Sequence, residues 1–481
     1  MPLTRDIRQL CRQIDCPVEP CDVFTTVSKR RIPFFLDSGM DPQRLGRYSF
    51  LGCDPFLVVE GIGTLATATD AGGQVTAFGH PFELLRSLLL EYSIEHTDGP
   101  APFTGGAVGC LSYDLCHLIE SLPRTAQSDL GFSDLHLGFY HNVLAYDHVE
   151  RQWFAIATPL PGESSSDVRQ RSDNMLRMFD EAFEFKNGIG CERKSCETAL
   201  QNSRRKAKGN FSREAYLRAV ERVIEYIHAG DVFEVNLSQR FNVECNRHPA
   251  DVYQSLRSIN PAPFACYFDF GSRAAIGASP ERFLLVKDKH VWTRPIKGTR
   301  RRIGDPAIDE KARKELLSSA KDRAELTMIV DLERNDLGRV CEYGSVNVTE
   351  PFVLEEYPSV FHLVSTVEGD LHPRYDVIDL LKSTFPGGSI TGAPKIRSME
   401  IIDELEPTQR SLYTGSMGYI GFDGSVDLNI AIRTILMEGN QACFQVGGAV
   451  VADSVPESEY QETLDKGQRL FAVLGAELPD V

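Results

Sequence analysis

The chain has 481 residues, 42% of them hydrophobic and 25% charged. That is the balance of a soluble globular protein, with room for one very large domain or two to three ordinary ones. The net charge of −17 argues against nucleic acid or an anionic membrane surface as the main partner, since both repel it. No apolar run is long enough to span a bilayer, and the polar opening MPLTRDIRQLCRQ has no signal-peptide core. The 12 cysteines recur at intervals such as Cys11, Cys16 and Cys21, or Cys191 and Cys196, and none forms the C-x-x-C pair of a zinc or iron–sulfur site. Reduced, mostly buried thiols in a cytoplasmic protein are the expectation.

In chain order, Arg47-Tyr48-Ser49-Phe50-Leu51 and Phe56-Leu57-Val58-Val59 read as strands around the turn Cys53-Asp54-Pro55, and Phe82 to Tyr92 reads as a helix. The glycine-rich run 105–114 lacks the strand–GxGxxG–helix context of a dinucleotide site, which leaves close backbone packing. His141 to Tyr146 and Trp153 to Ala157 form a predicted strand pair, followed by a helix near Val168 to Phe185. The polar, partly basic stretch after it divides the chain into an N-terminal region, 1–190, a linker, 191–210, and a second region, 211–475. The second region opens on Ser212 as N-cap, with Phe211 and Tyr216 at staple positions. Tyr216, Val220, Val223, Ile224 and Ile227 make a helical stripe that Gly230 stops, and Phe233 to Phe241 alternates as a strand does.

Next comes Trp292-Thr293-Arg294-Pro295-Ile296-Lys297-Gly298-Thr299, with Lys297 bracketed by proline and glycine. A lysine amine has an ordinary pKa of about 10.4. Desolvation or a cationic neighbour lowers it and makes the amine a nucleophile. Arg294, Arg300, Arg301 and Arg302 are the expected source of that positive field; a solvated basic loop is the alternative. A long helix is predicted over 309–338, with Asp322, Glu325, Ile329 and Leu332 on one face. Another is predicted over 456–474, with Glu459, Glu462, Lys466, Leu470 and Val473 on one face. Each carboxylate pair alone reads as a solvated face. Four carboxylates on apolar faces turned toward each other suit Mg²⁺, a hard cation that takes oxygen ligands and keeps several waters. Between the helices, the glycine-rich loop 385–395 feeds a helix from Ile396 to Leu405 and reads either as an anion-binding turn or as a structural one.

Taken together, these stretches resemble the chorismate-utilising enzymes, and among them component I of aminodeoxychorismate synthase. The matching segments are RPIKGTRR (294–301), KDRAELTMIVDLERNDLGRV (321–340), FHLVSTVEG (361–369), FPGGSITGAPKIRSMEIIDELEP (385–407), GYIGF (418–422), DLNIAIRT (427–434) and SEYQETLDKG (458–467). GRYSFLG (46–52) and GGAVGCLSYDL (105–115) match more loosely in the first half. The resemblance implies an α+β fold of two facing β-sheets wrapped by helices, both halves contributing to one body. It implies Mg²⁺ on Glu325 and Glu462, with Asp322 and Glu459 acting through waters, polarising the ring carboxylate of chorismate. Tyr413 and Arg433 match positions that bind the enolpyruvyl carboxylate, for which an arginine fork is suited. Gly298, Thr299, Gly447, Gly448 and Lys466 complete the cradle, and Glu281 matches the acid that protonates the departing 4-hydroxyl. His362 matches a position near the ring; a structural role is its alternative.

Lys297 stands where anthranilate synthases carry alanine. Its implied role is attack on ring C2 with loss of the 4-hydroxyl, after which ammonia adds at C4 and expels the lysine. The implied product is 4-amino-4-deoxychorismate, on the way to p-aminobenzoate and folate. Anthranilate synthase component I, or a non-catalytic chorismate-binding relative, are the alternatives. The sequence has no Cys-His-Glu glutaminase unit, so a separate glutamine amidotransferase subunit is expected to supply ammonia; no fused pyruvate-releasing lyase is expected. Three departures stand out. Glu234 replaces the usual glutamine, and Ala449 replaces a third glycine after Gly447 and Gly448. Leu36-Asp37-Ser38 lies where feedback-regulated relatives read Leu-Glu-Ser; Ser38, Arg47, Tyr48, Pro263, Phe264 and Ala265 map onto a tryptophan pocket in some relatives, with an ordinary core role as the alternative.

Overall fold

The computed structural model describes residues 9–95, 99–187, 205–357 and 360–479. Most of the predicted linker, with Cys191 and Cys196, lies outside the described residues. Two 12-stranded antiparallel sheets form the body, and strands from both halves of the chain enter each of them. In the first, Phe34–Asp37 and Tyr48–Gly52 lie next to Phe264–Asp269 and Arg273–Ser279, and the sheet continues through Thr434–Glu438, Gln441–Val450 and Glu234–Glu244. In the second, Ile296–Arg301, Val360–Asp370, His290–Arg294 and Arg282–Lys287 lead through Val426–Ile430 and Ser416–Gly421 to Gly106–Leu111, Leu135–Tyr140 and Leu57–Ile62.

Strand alternation divides the apolar residues between three cores, because successive side chains point to opposite faces. Phe35 joins Phe24, Tyr253 and Tyr267 on the helix-covered face of the first sheet. Its neighbour Phe34 turns inward to Tyr140. In the second sheet Ala107 and Leu111 face the outer core, while Val108 and Cys110 face inward with Phe50, Phe103, Cys266, Met417 and Tyr419. The inward set comes from both sheets, so the sheets face each other across it. The run 105–114 is the close packing its glycines imply: a Cβ on Gly109 would sit 2.1 Å from the carbonyl oxygen of His136.

The predicted caps form. Ser212 Oγ accepts from the Ala215 amide, Phe211 and Tyr216 pack edge to face at 5.6 Å, and Gly230 ends its helix at φ 85°. The predicted helix over 456–474 is found as Pro456–Leu474. The predicted single helix over 309–338 is two, Pro306–Ser318 and Ala320–Gly338. Ser319 adopts an extended backbone between them and its Oγ accepts from the Asp322 amide, so a local side-chain bond outcompetes helix continuation. No helix among the described residues is long and apolar enough to cross a membrane, and all ten described cysteines are free.

Candidate active site

Two chain crossings between the sheets define the site. The chain leaves the first sheet at Ser279, passes Glu281 and enters the second at Arg282. It returns from Ile430 to Thr434 through Arg433, which holds φ at 51°, a conformation that costs a non-glycine residue about 1–3 kcal/mol and clusters at functional sites. The crossings are tied together, since the Ile430 amide donates to the Glu281 carbonyl at 3.0 Å. Arg433 makes no side-chain hydrogen bond or ion pair among the described residues. Burial, with Arg469 nearby, lowers its pKa to about 10, and it stays cationic. An unpaired, half-buried guanidinium is an anion site in waiting.

Lys297 lies on the edge strand Ile296–Arg301, at a break in register opposite His362 and Leu363. Such bulges re-aim side chains. Gly298 holds φ at 77°, and a Cβ there would meet Asp322 Oδ1 and Leu316 Cδ1 at 2.9 Å each, so glycine is required on both counts. Lys297 is only 8% exposed, and Nζ donates to Oε1 of fully buried Glu234 at 2.7 Å. Because Glu234 opens a strand of the first sheet, this bond bridges the two sheets.

Three of the four arginines expected to surround Lys297 with positive charge are paired with carboxylates. Arg294 is spent on Glu350 and Glu355, at 2.6 and 2.8 Å, Arg300 on Asp322 at 2.9 Å, and Arg302 on Asp309 at 3.4 Å. Burial disfavours the charge on Lys297, yet Glu234, Glu325 and Glu281 outweigh it and hold the pKa above its ordinary value. The resting amine is an ammonium. Glu281 shows the opposite balance. Burial pushes its pKa up to about 7, against donation from Ser389 Oγ at 2.5 Å and from the Ile296 amide at 3.4 Å. It is therefore an acid that holds its proton near neutral pH. His362 is buried and its Nδ1 meets Thr299 Oγ1 at 2.9 Å; burial, then Arg433, drop its pKa to about 3. It is neutral, which fits it for orienting Thr299 and not for giving a proton. Tyr413 sits under Arg410, 5.7 Å from guanidinium to ring, and burial raises its pKa.

The carboxylate helices flank this point, Ala320–Gly338 against the second sheet and Pro456–Leu474 against the first. Lys297 and Lys321 lie within electrostatic reach of both Glu325 and Glu462, so the two helices turn these carboxylates toward one region. Burial raises the pKa of Glu325 and of Glu459. Glu462 stays low because Lys466 pairs with it at 2.6 Å, and Lys466 also donates to the Gly447 carbonyl at 2.9 Å. Glu459 Oε1 accepts from Ser454 at 2.6 Å, while its buried Oε2 has no partner. A Cβ at Gly448 would lie 3.2 Å from both Glu459 Oε2 and Glu462 Oε1, so bare backbone lets the carboxylates close in. Among the described residues no three His, Cys, Asp or Glu side chains form a ready cage. The donor set nevertheless fits Mg²⁺, which needs one or two carboxylates and brings its own waters.

The loop 385–395 resolves as support. Lys395 is bound to Asp336 and to the Thr384 carbonyl, and Ser389 carries the bond to Glu281. Sequence reading singled out neither Ser389 nor the buried Glu333, which accepts from Thr293 at 3.1 Å behind Glu281. Only the shared segment DLERND, with its acids on one helix, hinted at the latter. The residues mapped onto a tryptophan pocket lie along the first sheet, with Phe264 in register with Ser279 at the start of the Glu281 crossing. Ser38 Oγ donates to the Tyr48 carbonyl at 2.6 Å, Arg47 pairs with Asp147 at 2.8 Å and stacks on Tyr48, and Phe264 lies under Arg282. Pro263 is buried, and Ala265 sits in register with Asp37.

Residues 49–472 match the family described as chorismate binding enzyme. Aminodeoxychorismate synthase component 1 of Bacillus subtilis (strain 168) is 39% identical over 427 residues, 89% of each chain. Anthranilate synthase component 1 of Geobacillus stearothermophilus is 39% identical over 472 residues, 96% of this chain and 92% of that one. The crystal structure of anthranilate synthase component I from Streptococcus pneumoniae TIGR4 superposes with a TM-score of 0.77 at 33% identity, covering 89% of this chain and 93% of that chain.

Proposed function

The chain belongs to the chorismate binding enzyme family, and from that premise we propose that it aminates chorismate at C4 to give 4-amino-4-deoxychorismate. The observation that carries this reading is Lys297: a lysine buried to 8% exposure, bonded across the sheets to Glu234 and within electrostatic reach of Glu281 and Glu325, instead of extended into water. A lysine held at such a point is a nucleophile once its proton is removed.

In this reading, unpaired Arg433 and Tyr413 take the enolpyruvyl carboxylate, and the main chain at Gly298 and Gly447 lines the rest of the cradle. Glu325 and Glu462, backed by Asp322 and Glu459, would hold Mg²⁺, and the bound metal would supply a Lewis acid for the ring carboxylate. The Lys297 amine forms a bond to C2, the ring double bonds shift, and the 4-hydroxyl leaves as water with the proton of Glu281. Ammonia then bonds to C4, the double bonds shift back, the C2–N bond breaks, and the surplus proton on the new amine returns to Glu281. The curated relatives are named as component 1, and we assign the ammonia to a separate glutamine-cleaving subunit. The product would feed p-aminobenzoate and folate synthesis.

A second reading is favoured by the equal identity to anthranilate synthase component 1 of Geobacillus stearothermophilus. One experiment separates them. The purified chain is incubated with chorismate, Mg²⁺ and ammonium, and products are identified by mass, with a metal-free arm. Aminodeoxychorismate without pyruvate is the expected result; anthranilate with equimolar pyruvate would sink the proposal.

A further inference from the structure

The lysine of this site rests as an ammonium, which has no lone pair to attack with. Among the described residues, Glu234 Oε1 is the one hydrogen-bond partner of Lys297 Nζ, at 2.7 Å. Glu234 is fully buried and its backbone is fixed: the Phe233 amide donates to the Ala393 carbonyl at 2.7 Å and Ser398 Oγ donates to the Glu234 carbonyl at 3.0 Å. Its carboxylate is also short of donors. Oε1 receives Lys297 and, at 3.3 Å, Asn236 Nδ2, whereas buried Oε2 receives nothing. Other acids face the amine without bonding it. Glu281 is engaged by Ser389 and the Ile296 amide. Glu325 on the helix Ala320–Gly338 and Glu462 on the helix Pro456–Leu474 reach it only through space.

Resting on the amination reading above, we propose that Glu234 is the general base that discharges Lys297. The proton moves from Nζ to Oε1, converting the ion pair to an amine and a carboxylic acid. The freed lone pair makes the bond to C2. When ammonia has added at C4 and the C2–N bond breaks, the neutral amine departs and Glu234 returns the proton, restoring the ion pair. No oxidant, reductant or other reactant is needed. The exchange gives the glutamate a task that the amide of a glutamine at this position cannot perform.

The sign of one substitution decides the matter. If Glu234 merely holds the ammonium in place, Glu234→Gln removes a negative charge, frees the amine and leaves adduct formation as fast or faster. If Glu234 is the base, the same change slows it by about 10²-fold or more at pH 7, and the rate climbs with pH as solvent takes over. The full-length chain is mixed with chorismate and Mg²⁺ without ammonia, and mass added at Lys297 is followed from pH 6 to 9, with chorismate affinity measured in parallel. Slower adduct formation with affinity within about threefold supports the proposal; an unchanged or faster rate overturns it. Glu234→Asp keeps a carboxylate one methylene back and is the second variant. A rate at least about tenfold above that of Glu234→Gln, within the usual span of general-base effects, supports the role, and no recovery overturns it. Absence of adduct in the unaltered chain overturns this proposal and the lysine step above together; adduct in the unaltered chain and an undiminished rate in Glu234→Gln overturn the base alone.

Discussion

Two buried polar clusters in this molecule contain similar side chains and differ in one respect. Around Asp37 every charge is answered: its carboxylate accepts from Tyr253 at 2.7 Å, from Arg257 and from Ser49, and nearby Arg47 is held by Asp147. Around Lys297 the accounts stay open. Among the described residues Glu234 Oε2 and Glu459 Oε2 are buried without hydrogen-bond partners, Arg433 forms no side-chain hydrogen bond or ion pair, and Glu281 keeps its proton up to about pH 7. Buried polar groups are nearly always satisfied, and leaving one bare costs about 1–3 kcal/mol. The contrast is what marks the second cluster as the candidate ligand site.

The comparison breaks most sharply at Lys297. Lys297→Ala should reduce amination by about 10³-fold or more, with no adduct detectable by mass; near-normal product formation would end the distinction. Glu281→Gln comes next, with a loss of about 10²–10⁴-fold in kcat. The acid must be protonated, so activity of the unaltered chain should fall as pH rises through about 7, and the variant should lose that limb. Stability of the unaltered chain should fall over the same range. The folded pKa is raised from 4.5 to about 7, so what the neutral carboxyl contributes is complete below 4.5 and lost as pH climbs through 7. At pH 8, Glu281→Gln should unfold at higher denaturant than the unaltered chain, by up to about 3 kcal/mol.

Smaller effects test the boundary. Arg433→Ala should raise KM for chorismate by about 10–100-fold, the worth of one charged hydrogen-bonding group, with kcat less affected in steady-state assays. In the saturated cluster the expectation inverts. Asp37→Asn should cost about 2–4 kcal/mol by denaturant titration, because Arg257 loses its buried partner, while kcat/KM stays within about twofold of normal. Arg47→Ala, at an exposed arginine, should leave both the denaturation midpoint and catalysis nearly unchanged; a large catalytic loss in either would make this cluster part of the site.

Much of the fold was legible because its signals are short-range. The helix Pro456–Leu474 matches its prediction, and Ser212 and Gly230 bound the helix Arg213–Ala229 as their chemistry requires. The specific segments around Lys297, Glu325 and Glu462 pointed to the right family, and the fold they implied is the fold found. Failures arose where a local rule met a local competitor or a distant partner. Ser319 split a helix that periodicity alone extends across it. Four arginines beside Lys297 looked like its electrostatic field, but Arg294, Arg300 and Arg302 each found a carboxylate elsewhere in the chain.

The sequence by itself determined the strands, the helices, their caps, the apolar faces and the positions of the chemically active side chains, because each depends on residues a few places apart. Only the tertiary structure decided which charges meet. Glu234 and Lys297 are 63 positions apart and on different sheets, and their contact turns an expected free amine into an ammonium with one partner. Pairing in a low-dielectric interior is strong, selective and independent of sequence distance; it follows from how two sheets face each other, which no local pattern encodes.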